Sequence, residues 1–129
     1  MVSEPVRVLV CDDDEPTREL LVAVLESEGF KVSSVPDGPS CLAALAGEQP
    51  DVLVLDVMMP GMDGYQVMEI LRRDFPESDV HVVMLTAKTT DEDVWSGWRS
   101  GVDYYMAKPF DPNELVRFVH FLAGGAPVE

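Results

Sequence analysis

The 129-residue chain predicts a single α/β domain, a (βα)5 unit with a doubly wound central sheet of five parallel strands. Three observations predict it. Apolar runs of strand length alternate strictly with segments of helical spacing. The first, third and fourth runs are apolar almost throughout, as strands covered on both faces must be. Glycines and an Asp-Pro pair stand where helices should end or begin. Strict alternation of this kind implies parallel strands with helices packed on both sides of the sheet.

Taken in order, Val6-Arg-Val-Leu-Val10 is the first strand, and Cys11 passes it into the acidic run Asp12-Asp-Asp14. Leu21, Val24 and Leu25 mark the first helix, with Gly29 as its left-handed terminator. Lys31-Val-Ser-Ser-Val35 alternates apolar with polar and predicts an edge strand. Cys41, Leu42 and Leu45 mark the second helix, closed in the same way by Gly47. The third strand, Val52 to Leu55, ends at Asp56 and opens into the turn Val57-Met-Met-Pro-Gly-Met-Asp-Gly64. Val67, Ile70 and Leu71 mark the third helix, and Val80 to Leu85 the fourth strand. In the fourth helix, Val94, Trp95 and Trp98 precede Gly101, and the spacing predicts that one tryptophan is partly exposed. Tyr104 to Ala107 is the fifth strand, Asp111-Pro112 an N-cap with proline at the first helical position, and Leu115, Phe118, Val119 and Leu122 the fifth helix. The expected domain covers residues 1–123, with 124–129 a flexible tail or the start of a linker.

Composition narrows the function. Hydrophobic content of 47% and charged content of 26% suit a globular domain that buries roughly 70% of its unfolded surface. No apolar stretch approaches the ~20 residues of a membrane span, and Met1-Val-Ser-Glu-Pro5 has no signal-peptide pattern, so a cytoplasmic location is expected. Cys11 and Cys41 make no metal-ligand spacing and are expected as buried, reduced thiols. A net charge of −15 with nine scattered Lys and Arg argues against direct contact with nucleic acid, because phosphate contacts need clustered cations.

In parallel sheets of this kind ligands sit outside the carboxyl ends of the strands. Asp12, Asp13, Asp56, Thr86 and Lys108 all fall there. Crowded carboxylates raise one another's pKa unless a cation holds them, and an oxygen-only set with room for water and phosphate suits Mg2+ better than zinc. His81 and His120 lie outside the cluster and are expected at the surface or in packing contacts. A carboxylate beside a metal, a lysine and a hydroxyl is equipped to accept a phosphoryl group, a transfer that depends on positioning and charge neutralisation.

These residues carry a resemblance. The acidic pair Asp12-Asp13, Asp56 within Leu-Asp-Val-Met-Met-Pro-Gly-Met-Asp-Gly, Thr86-Ala87, Tyr105 and Lys108-Pro109-Phe110 follow in order on the predicted strand ends. Over essentially its whole length the chain resembles a response-regulator receiver domain, the CheY-like phosphoacceptor of two-component signalling. The resemblance implies a flavodoxin-like sheet of order 2-1-3-4-5, with Asp56 taking a phosphoryl group from a phosphohistidine. It makes Asp12, Asp13, Asp56 and the Met58 carbonyl the Mg2+ ligands. Lys108, the Thr86 hydroxyl and the Ala87 amide become phosphoryl contacts, and the Lys108-Pro109 peptide is expected to be cis. Thr86 and Tyr105 become the switch that alters the face formed by the fourth helix, fifth strand and fifth helix.

The implied partners are a sensor histidine kinase or phosphotransfer protein, and a downstream effector or C-terminal output domain on that face. Neither nucleic acid nor membrane is expected as a direct partner, and the state is a monomer or a phosphorylation-dependent dimer. Position 104, acidic in many receivers that dimerise to control winged-helix domains, is tyrosine here. Met58 and Lys88 stand at the two positions that tune phosphoryl lifetime in the family. Beyond signalling, the implied chemistry is limited to the domain's own phosphotransfer and autodephosphorylation.

Plainer readings apply to the neighbours. Asp14 and Glu15 start the first helix, Asp63 and Gly64 belong to the turn and helix start, and Met58, Met59 and Met62 are packing residues. An aspartyl-nucleophile phosphatase needs a second Asp where Met58 stands. A flavin carrier needs a phosphate-cradling loop where the carboxylates stand. A pseudo-receiver that only binds partners is the alternative, yet no acceptor or metal ligand is missing.

Overall fold

The computed structural model describes residues 4–87 and 101–124, and the predicted fourth helix with Val94, Trp95 and Trp98 lies outside them, as does Lys88. Five strands, β1 (Arg7–Cys11), β2 (Lys31–Val35), β3 (Val52–Asp56), β4 (His81–Thr86) and β5 (Tyr104–Ala107), form one parallel sheet of order β2-β1-β3-β4-β5. The described helices are α1 (Glu15–Ser27), α2 (Gly38–Ala46), α3 (Gly64–Asp74) and α4 (Pro112–Leu122), the last being the fifth of the predicted helices. Among the described residues, no helix is long and apolar enough to cross a membrane.

The apolar strands explain the layering. Successive side chains of a strand point to opposite faces, so a run buried throughout must be covered twice. Leu9, Cys11, Leu53, Leu55 and Met84 pack with Cys41 and Leu45 of α2 and Val67, Met68 and Leu71 of α3. Val8, Val10, Val54, Val83 and Leu85 pack on the other face with Leu21 and Leu25 of α1 and Leu115, Val116 and Val119 of α4. Strand β2 is at the edge and mostly exposed, as its alternating sequence predicts.

Each described helix begins with an aspartate. Asp14, Asp37, Asp63 and Asp111 occupy the N-caps, accepting from the amides of Thr17, Ser40, Gln66 and Asn113. Asp63 and Gln66 complete a reciprocal capping box. Of the three glycines expected to be left-handed, Gly29 and Gly101 have positive φ, whereas Gly47 does not. Gly47 is the C-cap itself, at φ −87, with its amide bonded to Ala44 O, so α2 ends without the expected left-handed turn.

Candidate functional site

Parallel register brings the carboxyl ends of the four strands β1, β3, β4 and β5 to one edge. Asp12 directly follows β1, Asp56 ends β3, Thr86 ends β4 and Lys108 follows β5. Asp12, Asp56 and Thr86 are the buried polar residues of the described chain, at 0%, 2% and 1% exposure, whereas Asp13 is exposed. Carboxylate oxygens of Asp12, Asp13 and Asp56 lie within 4.8 Å of one another.

A lysine holds this cluster together. Lys108 Nζ lies 3.0 Å from Asp12 Oδ2 and 3.2 Å from Asp56 Oδ1. Its backbone is placed by the β4–β5 ladder, which pairs Thr86 with Ala107, and by the Lys108 amide donating to Thr86 O at 2.9 Å. The Lys108-Pro109 peptide is cis, as the resemblance implies. Asp12 Oδ1 accepts from the Asp14 amide at 2.9 Å, and the Met58 amide reaches Asp56 Oδ1 at 3.4 Å.

The loop after β3 returns closely to the strand. The Gly64 amide donates to Val57 O at 2.9 Å, and a Cβ at position 64 would stand 2.7 Å from Asp56 O. A side chain there would push on the backbone that carries Asp56, so only glycine fits without a shift.

The electrostatics follow from this crowding. Burial, and then the negative charge of Asp12, push the Asp56 carboxyl up to about 6, with Lys108 opposing them. Burial pulls on Lys108 in the opposite sense, yet its bonds to Asp12 and the charge of Asp56 hold its ammonium above the ordinary range. Three carboxylates thus face one ammonium. An oxygen-only donor set with surplus negative charge and one open side is what a hard divalent cation requires, so these residues fit a metal ion.

The other predicted residues fall into place around the cluster. Ala87 follows Thr86 at the exposed rim, and Tyr105 is half-buried against the part of the core that α2 and α3 cover. Met59 is buried and Met62 partly so, but the Met58 side chain is 51% exposed and does not pack as expected. Tyr104 stacks on Phe118 at 3.7 Å between ring centroids. His81 lies 3.5 Å from Asp103 and His120 packs against Phe30, both away from the cluster. Cys11 and Cys41 are buried free thiols. The bond to Cys41, followed by burial, raises the Cys11 thiol well above its ordinary range and mutes its reactivity. Asp14 is turned away as the α1 cap, and the Thr17 bonds lower its carboxyl.

Sequence reasoning missed Arg18. Its guanidinium donates to the Asp12 carbonyl at 2.8 Å. The available signal was its place one helical turn beyond Asp14.

Comparisons with known proteins identify the family. The response regulator receiver domain model matches residues 8–120. DNA-binding response regulator MtrA of Mycobacterium tuberculosis is 48% identical over 110 residues, 85% of this chain and 47% of MtrA. Phosphate regulon transcriptional regulatory protein PhoB of Klebsiella pneumoniae is 42% identical over 110 residues, covering 85% of this chain and 48% of that protein. Among solved structures, the receiver domain of Francisella response regulator 1452 matches with a TM-score of 0.86 at 33% identity, covering 94% of this chain and 98% of that one. The chain belongs to the response regulator receiver domain family. It is a signalling switch of the two-component type, and it spans about half the length of the curated relatives it matches.

One expectation is overturned. Exclusion of nucleic acid as a direct partner conflicts with relatives such as MtrA, whose name describes a DNA-binding protein. The physical reason is range: charge acts over about a Debye length, ~8 Å at physiological salt, so the acidity of these residues does not decide what other parts of a protein bind, as the relatives, of which this chain matches about half, illustrate.

Proposed function

We propose that this chain is the phosphoacceptor switch of a DNA-binding response regulator, with Asp56 as the acceptor. The observation that carries the reading is Lys108 bridging Asp56 to Asp12 inside a cluster of three carboxylates. In the transfer, an Asp56 oxygen forms a bond to phosphorus as the phosphorus–nitrogen bond of a phosphohistidine breaks, and the imidazole leaves with the electron pair. With a carboxyl near 6, Asp56 is mostly ionised above neutral pH and ready to attack.

Asp12, Asp13, Asp56 and the carbonyl of Met58 would hold Mg2+, which supplies positive charge against the phosphoryl oxygens. Lys108 pairs with one phosphoryl oxygen, while the Thr86 hydroxyl and Ala87 amide donate to others. Attack of water on the same phosphorus regenerates the carboxylate, which makes the state temporary. Thr86 and Tyr105 couple the charge change to the surface of β5 and α4, since Tyr105 stands beside Met84 in the register and Thr86 beside Ala107. Residues 1–123 form the switch, in a cytoplasmic protein.

Intact mass after incubation with Mg2+ and acetyl phosphate tests the reading. One phosphoryl adduct is expected in the wild type, and none in Asp56→Asn or with Mg2+ chelated. No adduct in the wild type, or an undiminished one in Asp56→Asn, overturns it.

A further inference from the structure

Arg18 extends from the first turns of α1 back toward the acidic loop. Its amide donates to Asp14 O at 2.9 Å, and its Nη1 donates to Asp12 O at 2.8 Å. Helical side chains lean toward the helix N-terminus, so a residue four beyond the cap is well placed for this reach. The carbonyl it grips belongs to the peptide joining Asp12 to Asp13. All three oxygen acceptors of Asp12 then have donors: Oδ1 from the Asp14 amide, Oδ2 from Lys108 and the main-chain oxygen from Arg18.

We propose that Arg18 is a positioning residue for the cation site, holding the Asp12–Asp13 peptide so that both carboxylates stay turned toward Asp56. The inference rests on the phosphoacceptor reading above. Consecutive side chains of an extended segment point to opposite sides, and here Asp12 is fully buried while Asp13 is exposed. Their carboxylate oxygens nonetheless lie within 4.8 Å of each other and of Asp56. Mutual repulsion favours swinging Asp13 away. The peptide between them is a rigid plane, so fixing its oxygen limits the rotation that would release Asp13. A guanidinium suits the task because it stays charged, and hydrogen bonds from a charged donor are roughly twice as strong as neutral ones.

A contrary role makes the opposite prediction. If Arg18 served only as a positive charge near the carboxylates, removing it would tighten cation binding by Coulomb's law. Mg2+ titration of the unphosphorylated protein, followed by calorimetry and by the Asp13 and Asp14 amide resonances, separates the two. Arg18→Met is expected to raise the Mg2+ Kd on the order of tenfold, the low end for loss of a partner that orients a ligand. Arg18→Lys keeps the charge and a donor, and is expected to recover part of the affinity.

An Arg18→Met protein that binds Mg2+ as tightly as the wild type, or more tightly, overturns the inference. So does a lowered melting temperature with unchanged Kd, which marks a purely structural contact. If Arg18→Met does not fold, Arg18→Gln carries the same titration with the same criteria. A wild type that binds no Mg2+ overturns the phosphoacceptor reading along with this one, whereas normal wild-type binding with an unaffected variant overturns the role of Arg18 alone.

Discussion

The two edges of the sheet use acids in opposite ways. At the amino edge three acids are matched one to one: Asp51 accepts from the Arg7 amide at 2.8 Å, Asp103 accepts from the Val82 amide at 2.7 Å and faces His81, and Glu48 pairs with the Arg7 guanidinium. These contacts tie strand ends to their neighbours and range from part-buried to exposed. At the carboxyl edge two buried carboxylates and an exposed one face each other with one lysine between them. One edge is organised for stability and the other holds unbalanced charge that a cation and a phosphoryl group can use. A site kept under such repulsion lowers stability locally, as functional sites commonly do.

Neutralising Asp56 should expose the largest difference between the edges. Its folded-state carboxyl is raised to about 6 from 3.8, so the folded protein keeps a proton that the unfolded chain has lost across that window. The contribution of this group to stability is therefore greatest below the lower value and falls as pH rises through the higher one. Asp56→Asn is expected to stabilise the metal-free protein by about 2–3 kcal/mol at pH 7.5 and by almost nothing near pH 4. Urea melts at both pH values check this, and an equal effect at the two would break the comparison.

At the amino edge the sign reverses. Asp103→Ala leaves the Val82 amide without its acceptor and should cost about 1–2 kcal/mol in thermal or urea melts. Its adduct formation with acetyl phosphate should match the wild type, and a matching loss of adduct would show that the edges are not separable. The smallest effect is expected at Glu48, whose side chain is 71% exposed. Glu48→Ala should change stability by less than about 1 kcal/mol, and the change should vanish in high salt, as for surface ion pairs generally. A large, salt-independent loss would place a buried role there.

Much of this was legible in the chain because it follows from local periodicity. Val8, Val10, Val52, Leu53, Val54 and Leu55 are apolar on both faces, which required a covered parallel sheet, and the alternating Lys31–Val35 required an edge. Asp111 before Pro112 identified a cap, and the acids following β1 and closing β3 pointed to the carboxyl edge where the carboxylates meet. Less visible were features that depend on backbone detail. Gly47 ends α2 without a left-handed residue, Met58 turns to solvent, and Asp37 caps α2 from within a loop whose residues show no periodicity.

The run Asp12-Asp-Asp14 marks the boundary between the two kinds of information. Side-chain chemistry and spacing alone determined that acids would meet a lysine at the strand ends, because alternation and apolar patterning dictate parallel strands that finish together. Pattern set Asp14 apart as the start of the first helix, but it could not tell Asp12 from Asp13. Tertiary structure decided that Asp12 is buried under Lys108 and that Asp13 remains open beside Asp56. It also decided that Arg18 returns to the carbonyl of Asp12. Those outcomes depend on the meeting of residues 12, 56 and 108, and a distance between segments so far apart in the chain is set by strand register and the packing of two helical layers, not by any local preference.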